Sequence, residues 1–113
     1  MGEMEDSIKD FQDTMKALSK ADRETMKSFR EFMDSVLEDK VLDTKTKELI
    51  ALGTAITARC KYCIAIHVKK SLAAGASEEE ILEATTVAIL MGGGPALTYI
   101  TEVKKALEEF NSD

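Results

Sequence analysis

The chain has 113 residues, of which 44% are hydrophobic, 32% charged and 5% aromatic. This length suits one domain, and the apolar fraction argues against wholesale disorder. Fifteen Lys and Arg against 21 Asp and Glu give a formal net charge of −6. Such a balance offers no basic surface for nucleic acid or for an anionic membrane. We therefore expect a single domain over residues 1–113 that binds neither.

The N-terminal residues do not resemble a secretory signal, because no basic segment leads into an apolar core. A charge-free segment, 84–101, contains Gly92-Gly93-Gly94-Pro95 and four threonines. That composition disfavours a membrane-spanning helix. The sequence therefore predicts a soluble, cytoplasmic protein.

Apolar residues recur at intervals of three and four along most of the chain, which is the spacing of one face of an α-helix. Asp43 is a candidate N-cap, Ser77 with Glu80 has the spacing of a capping box, and Gly75 suits a helix end. We see no strand-like alternation, so the predicted fold is all-α. Six helices are expected, at about 4–18, 26–37, 44–58, 60–75, 78–91 and from Pro95 to the C-terminal region.

Between Ala84 and Leu90, the fifth predicted helix carries apolar or small side chains around much of its circumference. A helix without a clear polar face is buried on several sides. In so short a chain, this predicts burial partly against another copy of the protein. The methionines in helical stripes are expected to lie in the core, namely Met15, Met26, Met33 and Met91.

Cys60 and Cys63 are the only cysteines, and they lie three residues apart. A disulfide that closes so short a loop removes little entropy from the unfolded chain, so stabilisation explains it poorly. In a cytoplasmic protein such a pair is more often used for chemistry. Two buried hydrophobes, a zinc clip and a non-catalytic redox sensor in an oligomeric module stay open as alternatives.

Steps of three and four along a helix place side chains on one face. Cys60, Cys63 and the single histidine, His67, follow these steps. Cys60 falls at or just before the first turn, where unpaired N–H groups and the helix dipole favour a thiolate. His67 could accept the thiol proton of Cys63, and Glu48 on the preceding helix is the candidate carboxylate that would orient the imidazole.

The order Glu48, then Cys60-x-x-Cys63-x-x-x-His67, resembles the signature of alkyl hydroperoxidase D-like proteins in the carboxymuconolactone decarboxylase family. The similarity extends to Lys45-x-x-Glu48-Leu-Ile-Ala and to Gly92-Gly93-Gly94-Pro95-Ala96. It covers about residues 29–107, which is most of the chain.

This resemblance implies an all-helical bundle, assembly into homotrimers or homohexamers, and thiol-dependent reduction of hydroperoxides. It implies that Cys63 attacks the peroxide, that Cys60 resolves the intermediate as a disulfide, and that Glu48 and His67 relay the proton. An external dithiol would reset the pair, and no bound metal, flavin or haem is required. We therefore predict a peroxiredoxin-like alkyl hydroperoxide reductase.

One residue departs from that signature. The bacterial alkyl hydroperoxidase D enzymes carry a second histidine between the two cysteines, where this chain has Tyr62, and a tyrosine is a poor base near neutral pH. A further alternative is a decarboxylase or isomerase of a small lactone, with His67 and Glu48 as acid and base. The cysteine pair argues against that alternative, because the resemblance implies that the decarboxylases do not depend on one.

Overall fold

The computed structural model describes residues 2–111, and within that range the chain contains helices and no strand. The all-α fold class is therefore confirmed. The helices, in chain order, are α1 (Glu3–Ala21), α2 (Arg23–Leu37), α3 (Thr44–Thr57), α4 (Lys61–Ala73) and α5 (Glu78–Phe110).

Side-chain caps fix the starts of α3 and α5, as the sequence predicts. The Asp43 carboxylate accepts a hydrogen bond from the Thr46 N–H at 2.8 Å. Ser77 and Glu80 form a reciprocal capping box, in which Ser77 Oγ accepts the Glu80 N–H at 3.0 Å and Glu80 Oε1 accepts the Ser77 N–H at 2.9 Å. These bonds satisfy N–H groups that have no partner within the helix, so each helix begins at a defined residue.

The fifth and sixth predicted helices form one element, α5, which bends at Gly93. Gly93 takes φ 68° and ψ −150°, a conformation that residues with a side chain rarely adopt. Gly92 lies so close to α3 that a Cβ there would approach Thr57 Cγ2 to 3.3 Å. The glycine run therefore supplies a bend and a close helix approach. The predicted break at the glycines is thus confirmed, and the two helical segments on either side of Gly93 are described together as α5.

The core lies between α3, α4 and α5, and α1 closes one side of it. Glu109 on α5 accepts hydrogen bonds from the N–H groups of Met4 and Glu5, each at 3.0 Å, and so ties the start of α1 to the end of α5. The largest fully buried side chains of the bundle are Met4, Leu52, Ile56, Ile64, Ile81, Val68 and Val103.

Two outer surfaces lack cover within the chain. The α2 helix contributes no buried residue. The Met91 side chain is 76% exposed, so its predicted place in the core is wrong. Met91 lies on the side of α5 that faces away from the bundle, where no other helix of the same chain covers it. Met15, Met26 and Met33 are half-buried.

By length and composition alone, α5 is apolar enough to cross a bilayer. It also supplies seven buried residues to the helical bundle and packs along α3 and α4. The core helix of a soluble protein meets the same criterion, so this single helix is weak support for a membrane span. The architecture is compatible with a soluble protein.

Candidate active site

The two cysteines lie at the start of α4, in a tight turn that follows α3. Arg59 takes a positive φ of 58°, which is uncommon for a residue with a side chain, and the Cys60 N–H donates to the Ala55 carbonyl at 3.0 Å. Cys60 is the N-cap of α4, and its Sγ accepts the Cys63 N–H at 3.2 Å. A sulfur therefore occupies the position where a helix stabilises negative charge.

Cys60 and Cys63 are joined as a disulfide, with their Cα atoms 5.2 Å apart. This separation is ordinary for a disulfide, so the helical turn accommodates the bridge without displacing the backbone. Both residues are partly exposed. The cysteine pair is therefore in its oxidised form, and it is accessible to solvent.

Glu48 and His67 meet across the α3–α4 packing. Glu48 Oε1 lies 2.7 Å from His67 Nδ1, and the Glu48 and His67 side chains are 3% and 22% exposed. The sequence places Glu48 on the inner stripe of α3 and His67 on the cysteine face of α4, but spacing alone does not predict the contact. The fold brings them together because the short turn at 58–60 folds α4 back along α3.

This hydrogen bond determines which imidazole nitrogen is free. An ionised carboxylate can only accept, so His67 Nδ1–H donates to Glu48 and the Nε2 lone pair is left to accept a proton elsewhere. His67 lies one helical turn after Cys63 and on the same face of α4. Glu48 and His67 thus form a carboxylate–imidazole pair. The nitrogen that is left free, Nε2, belongs to a residue on the same face of α4 as the cysteines.

Tyr62, which stands between the cysteines, is 49% exposed. Its side chain leaves α4 about 100° around the helix axis from that of Cys63. The position where the resemblance expects a second histidine is therefore a tyrosine in contact with solvent.

Lys61, also between the cysteines, makes a contact that sequence reasoning missed. Its Nζ lies 3.5 Å from Glu3 Oε2, and Lys105 Nζ lies 3.3 Å from the same oxygen. The hydrogen bond from Lys105, with a smaller effect of Lys61, holds the pKa of Glu3 below its usual value. No local signal predicts this pairing, because Glu3 and Lys61 lie on different helices far apart in the chain.

A groove of about 420 Å³ runs between α1 and α4. Its walls are largely apolar, including Ile8, Phe11 and Ile66, and Lys69 and Lys70 lie at its rim. On α4 its lining residues are Ile66, Lys69, Lys70 and Ala73. The groove therefore lies on a different face of α4 from Cys63 and His67.

The fold and site together define a class: helical proteins that carry a CxxC pair and a carboxylate–imidazole pair on two adjacent helices. The sequence pattern of the carboxymuconolactone decarboxylase family matches residues 23–106, which is most of the chain. This protein belongs to the carboxymuconolactone decarboxylase family.

Individual relatives agree with this assignment. An uncharacterized protein of Cupriavidus necator is 33% identical over 96 residues, which cover 85% of this chain and 82% of that protein. A carboxymuconolactone decarboxylase family protein of Legionella pneumophila superposes with a TM-score of 0.91 at 36% identity, over 95% of this chain and 96% of that one.

A family member from Thermotoga maritima superposes with a TM-score of 0.73 at 34% identity, over 78% of this chain and 75% of that one. That protein is described as having a possible involvement in an antioxidative response.

Proposed function

We propose that this protein is a thiol-dependent peroxidase of the alkyl hydroperoxidase D-like branch. It would reduce organic hydroperoxides with Cys60 and Cys63 and recover by reaction with an external dithiol. The observation that carries the proposal is the hydrogen bond between Glu48 and His67, one helical turn from a cysteine pair in disulfide form. A merely structural disulfide has no need of an oriented imidazole beside it.

In the first step, His67 Nε2 accepts the proton of the Cys63 thiol. The Glu48 carboxylate stabilises the imidazolium that forms, because the two groups share a hydrogen bond with little exposure to water. Cys63 lies in the first turn of α4, where the helix dipole also favours the thiolate. The product is a nucleophilic sulfur at neutral pH.

In the second step, the Cys63 thiolate attacks the terminal oxygen of the hydroperoxide. An S–O bond forms, the O–O bond breaks, sulfur gives up two electrons, and the alkoxide leaves as an alcohol with the proton held on His67. Cys63 is then a sulfenic acid. The Cys60 thiol attacks that sulfur, an S–S bond forms, and the S–O bond breaks with release of water.

In the third step, a dithiol outside this chain resets the pair. Its first thiolate attacks the disulfide to give a mixed disulfide, and its second thiol closes its own disulfide as Cys60 and Cys63 leave as thiols. The cytoplasm suits this cycle because its dithiol systems keep such pairs reduced between turnovers.

Similarity to the Thermotoga protein, with its described link to an antioxidative response, supports the proposal. The family's name points to a second candidate, a lactone decarboxylase in which His67 and Glu48 act as acid and base without the thiols. The two candidates differ in one respect that can be measured. The peroxidase requires both cysteines, and the decarboxylase requires neither.

The test is consumption of tert-butyl hydroperoxide by the purified protein in the presence of dithiothreitol. We expect turnover by the wild type, its loss on Cys63→Ser, and its retention on Tyr62→Phe, an exposed control next to the same cysteine. Failure of the wild type to accelerate peroxide loss would contradict the proposal. Turnover of a small lactone that survives replacement of both cysteines by Ala would favour the decarboxylase.

A further inference from the structure

The groove of about 420 Å³ between α1 and α4 has no role in the thiol chemistry, and we call it the α1–α4 groove. Its lining includes Ile8 and Phe11 of α1 and Ile66 of α4. The Phe11 side chain is 36% exposed, so part of this apolar lining is open to solvent. A concave and largely apolar surface of this volume lies within the range of sites that bind small molecules.

Two lysines of α4 line the same groove. Lys69 and Lys70 follow Ile66 at i+3 and i+4, and Ala73 completes this face of the helix at i+7. A lysine can cover apolar surface with its methylene groups while its ammonium stays in water. The α1–α4 groove therefore combines an apolar interior with two positive charges at its rim.

These two charges have no carboxylate partner in the part of the chain that the structure describes. The residues described as lining the groove include no Asp or Glu. Within residues 2–111, the lysines that form ion pairs are different ones, namely Lys9, Lys45, Lys61 and Lys105. Although the chain has a formal net charge of −6, the rim of this groove is locally positive. Such a surface is complementary to an anion.

The Lys69 side chain is also restrained beside the groove. Its Nζ lies 5.6 Å from the centroid of the Phe110 ring, a distance at which an aromatic face attracts a cation. A lysine that is fixed by a ligand loses rotamer entropy, which weakens binding. Because Phe110 already restrains this side chain, less of that entropy is lost when Lys69 binds an anion.

The shape of the groove favours a long and narrow ligand. From Ile66 to Ala73, its α4 wall is about 10 Å long at 1.5 Å per residue. On the α1 side, Gln12 adds an amide that can donate to a carboxylate. An unbranched alkyl chain with one terminal carboxylate matches the apolar lining, the amide and the two ammonium groups together.

We propose that the α1–α4 groove binds a free fatty acid, with its alkyl chain against the apolar lining and its carboxylate at Lys69 and Lys70. The carboxylate then stays at the exposed rim, where it is not removed from water. The proposal does not depend on the thiol chemistry, because the groove lies on a different face of α4 from Cys63 and His67.

Isothermal titration calorimetry of the purified protein with three ligands of equal chain length tests the proposal. Decanoate carries a negative charge, decanol carries none, and decyltrimethylammonium carries a positive one. We expect decanoate to bind at one site per chain, at least about threefold more tightly than decanol, and decyltrimethylammonium to bind most weakly. Failure of decanoate to bind, or equal affinities for the three ligands, would overturn the proposal.

The double variant Lys69→Gln/Lys70→Gln tests the charged rim. We expect its affinity for decanoate to fall at least about threefold, to the level of decanol, and its affinity for decanol to stay unchanged. Lys27→Gln/Lys104→Gln removes two exposed lysines outside the groove and is the matched control for net charge. Equal losses in the two double variants would show a general effect of charge and would overturn the site.

The apolar lining is tested by Ala73→Trp, which places a bulky side chain in the groove. We expect this variant to bind decanoate and decanol about tenfold more weakly, as if about two methylene groups of the ligand were no longer buried. Ala17→Trp, at an exposed position of α1 outside the groove, should match the wild type. Should Ala73→Trp lose helix content by circular dichroism, Gln12→Trp repeats the measurement from the α1 wall. Unchanged affinities in the variant that folds would overturn the proposal.

Two other occupants of the groove would give different results. Sedimentation of the protein with phosphatidylglycerol vesicles, abolished in Lys69→Gln/Lys70→Gln, would assign the lysines to a membrane surface. A decanoate affinity that falls as the protein concentration rises would assign the groove to a second copy of the chain. Either result would overturn a free fatty acid as the ligand.

Discussion

Glu48 Oε1 and His67 Nδ1 lie 2.7 Å apart, although their residues belong to different helices. The Glu48 carboxylate is nearly fully buried, and its partner is a side chain that reaches solvent. Burial of a carboxylate without a partner costs several kcal/mol. The hydrogen bond with His67 therefore stabilises Glu48 at this buried position. The same bond fixes the orientation of the imidazole.

Replacing Glu48 by Gln tests the contribution of the carboxylate charge. The amide oxygen still accepts the Nδ1–H bond, but it no longer carries the charge that stabilises an imidazolium. We expect alkylation of Cys63 by iodoacetamide at pH 7 to slow by about tenfold or more, with its pH profile displaced to higher pH. Glu79→Gln, which removes a carboxylate from an exposed position, is the matched control and should follow the wild type. An unchanged profile in Glu48→Gln would remove Glu48 from the mechanism.

Cys60→Ser separates attack from resolution. Without Cys60 the sulfenic acid on Cys63 has no thiol to condense with, so it persists and excess peroxide carries it on to the sulfinic acid. We expect the reduced variant to gain one oxygen on Cys63 after one equivalent of hydroperoxide, and dimedone to label that residue. The opposite result would be an oxygen gained by Cys60 in Cys63→Ser and none gained by Cys63 in Cys60→Ser. It would show that Cys60 attacks the peroxide and Cys63 resolves the intermediate.

The core beneath the site is tested by Leu52→Ala. Leu52 is fully buried on α3, one turn after Glu48, and truncation leaves a cavity that the bundle cannot fill. We expect the free energy of unfolding to fall by about 2–5 kcal/mol, measured by urea denaturation at fixed protein concentration. Leu18→Ala, at a half-exposed position of α1, should change it by less than about 1 kcal/mol. Equal losses in the two variants would contradict the described core.

The ion pair between Lys45 and Glu80 predicts an acid-dependent contribution to stability. The hydrogen bond from Lys45, followed by that from the Ser77 N–H, holds the pKa of Glu80 below its usual 4.5. A carboxyl with a lowered pKa in the folded state stabilises the fold above the unfolded pKa and loses this effect as the pH falls through the folded value.

We therefore expect Glu80→Gln to be less stable than the wild type at pH 7 and to converge with it near pH 3. Thermal unfolding at both pH values measures the difference. Glu79→Gln, in the same first turn of α5, controls for the loss of a negative charge near the helix N-terminus. If Glu80→Gln lost the same amount of stability at both pH values, the ionised carboxylate of Glu80 would be excluded as the cause.

The local parts of this protein were predictable, and the contacts between helices were not. Asp43, Ser77 and Glu80 predict the helix starts because a cap is formed within four residues. Cys60, Cys63 and His67 share a face because they belong to one helix. The Glu48–His67 contact depends on how the turn at 58–60 folds α4 back onto α3, and no spacing rule determines that angle.

One prediction from helical patterning is confirmed and one is wrong. Glycines followed by proline predict a helix break, and the backbone is not helical at Gly93, where α5 is kinked. Met91 has the periodic spacing of a core residue and is exposed, because periodicity reports an apolar face without saying what covers it. The apolar face of α2 is exposed for the same reason. In both helices the apolar pattern is correct, and no described element of the same chain covers the apolar face.

The central claim is that Cys60 and Cys63 cycle between thiols and a disulfide in response to peroxide. Intact-protein mass spectrometry of the reduced protein, before and after one equivalent of tert-butyl hydroperoxide, tests it most directly. We predict a loss of two hydrogen atoms that dithiothreitol reverses and that neither Cys60→Ser nor Cys63→Ser shows. A mass that stays unchanged, or that gains oxygen equally in the wild type and in a variant without cysteines, would contradict the account.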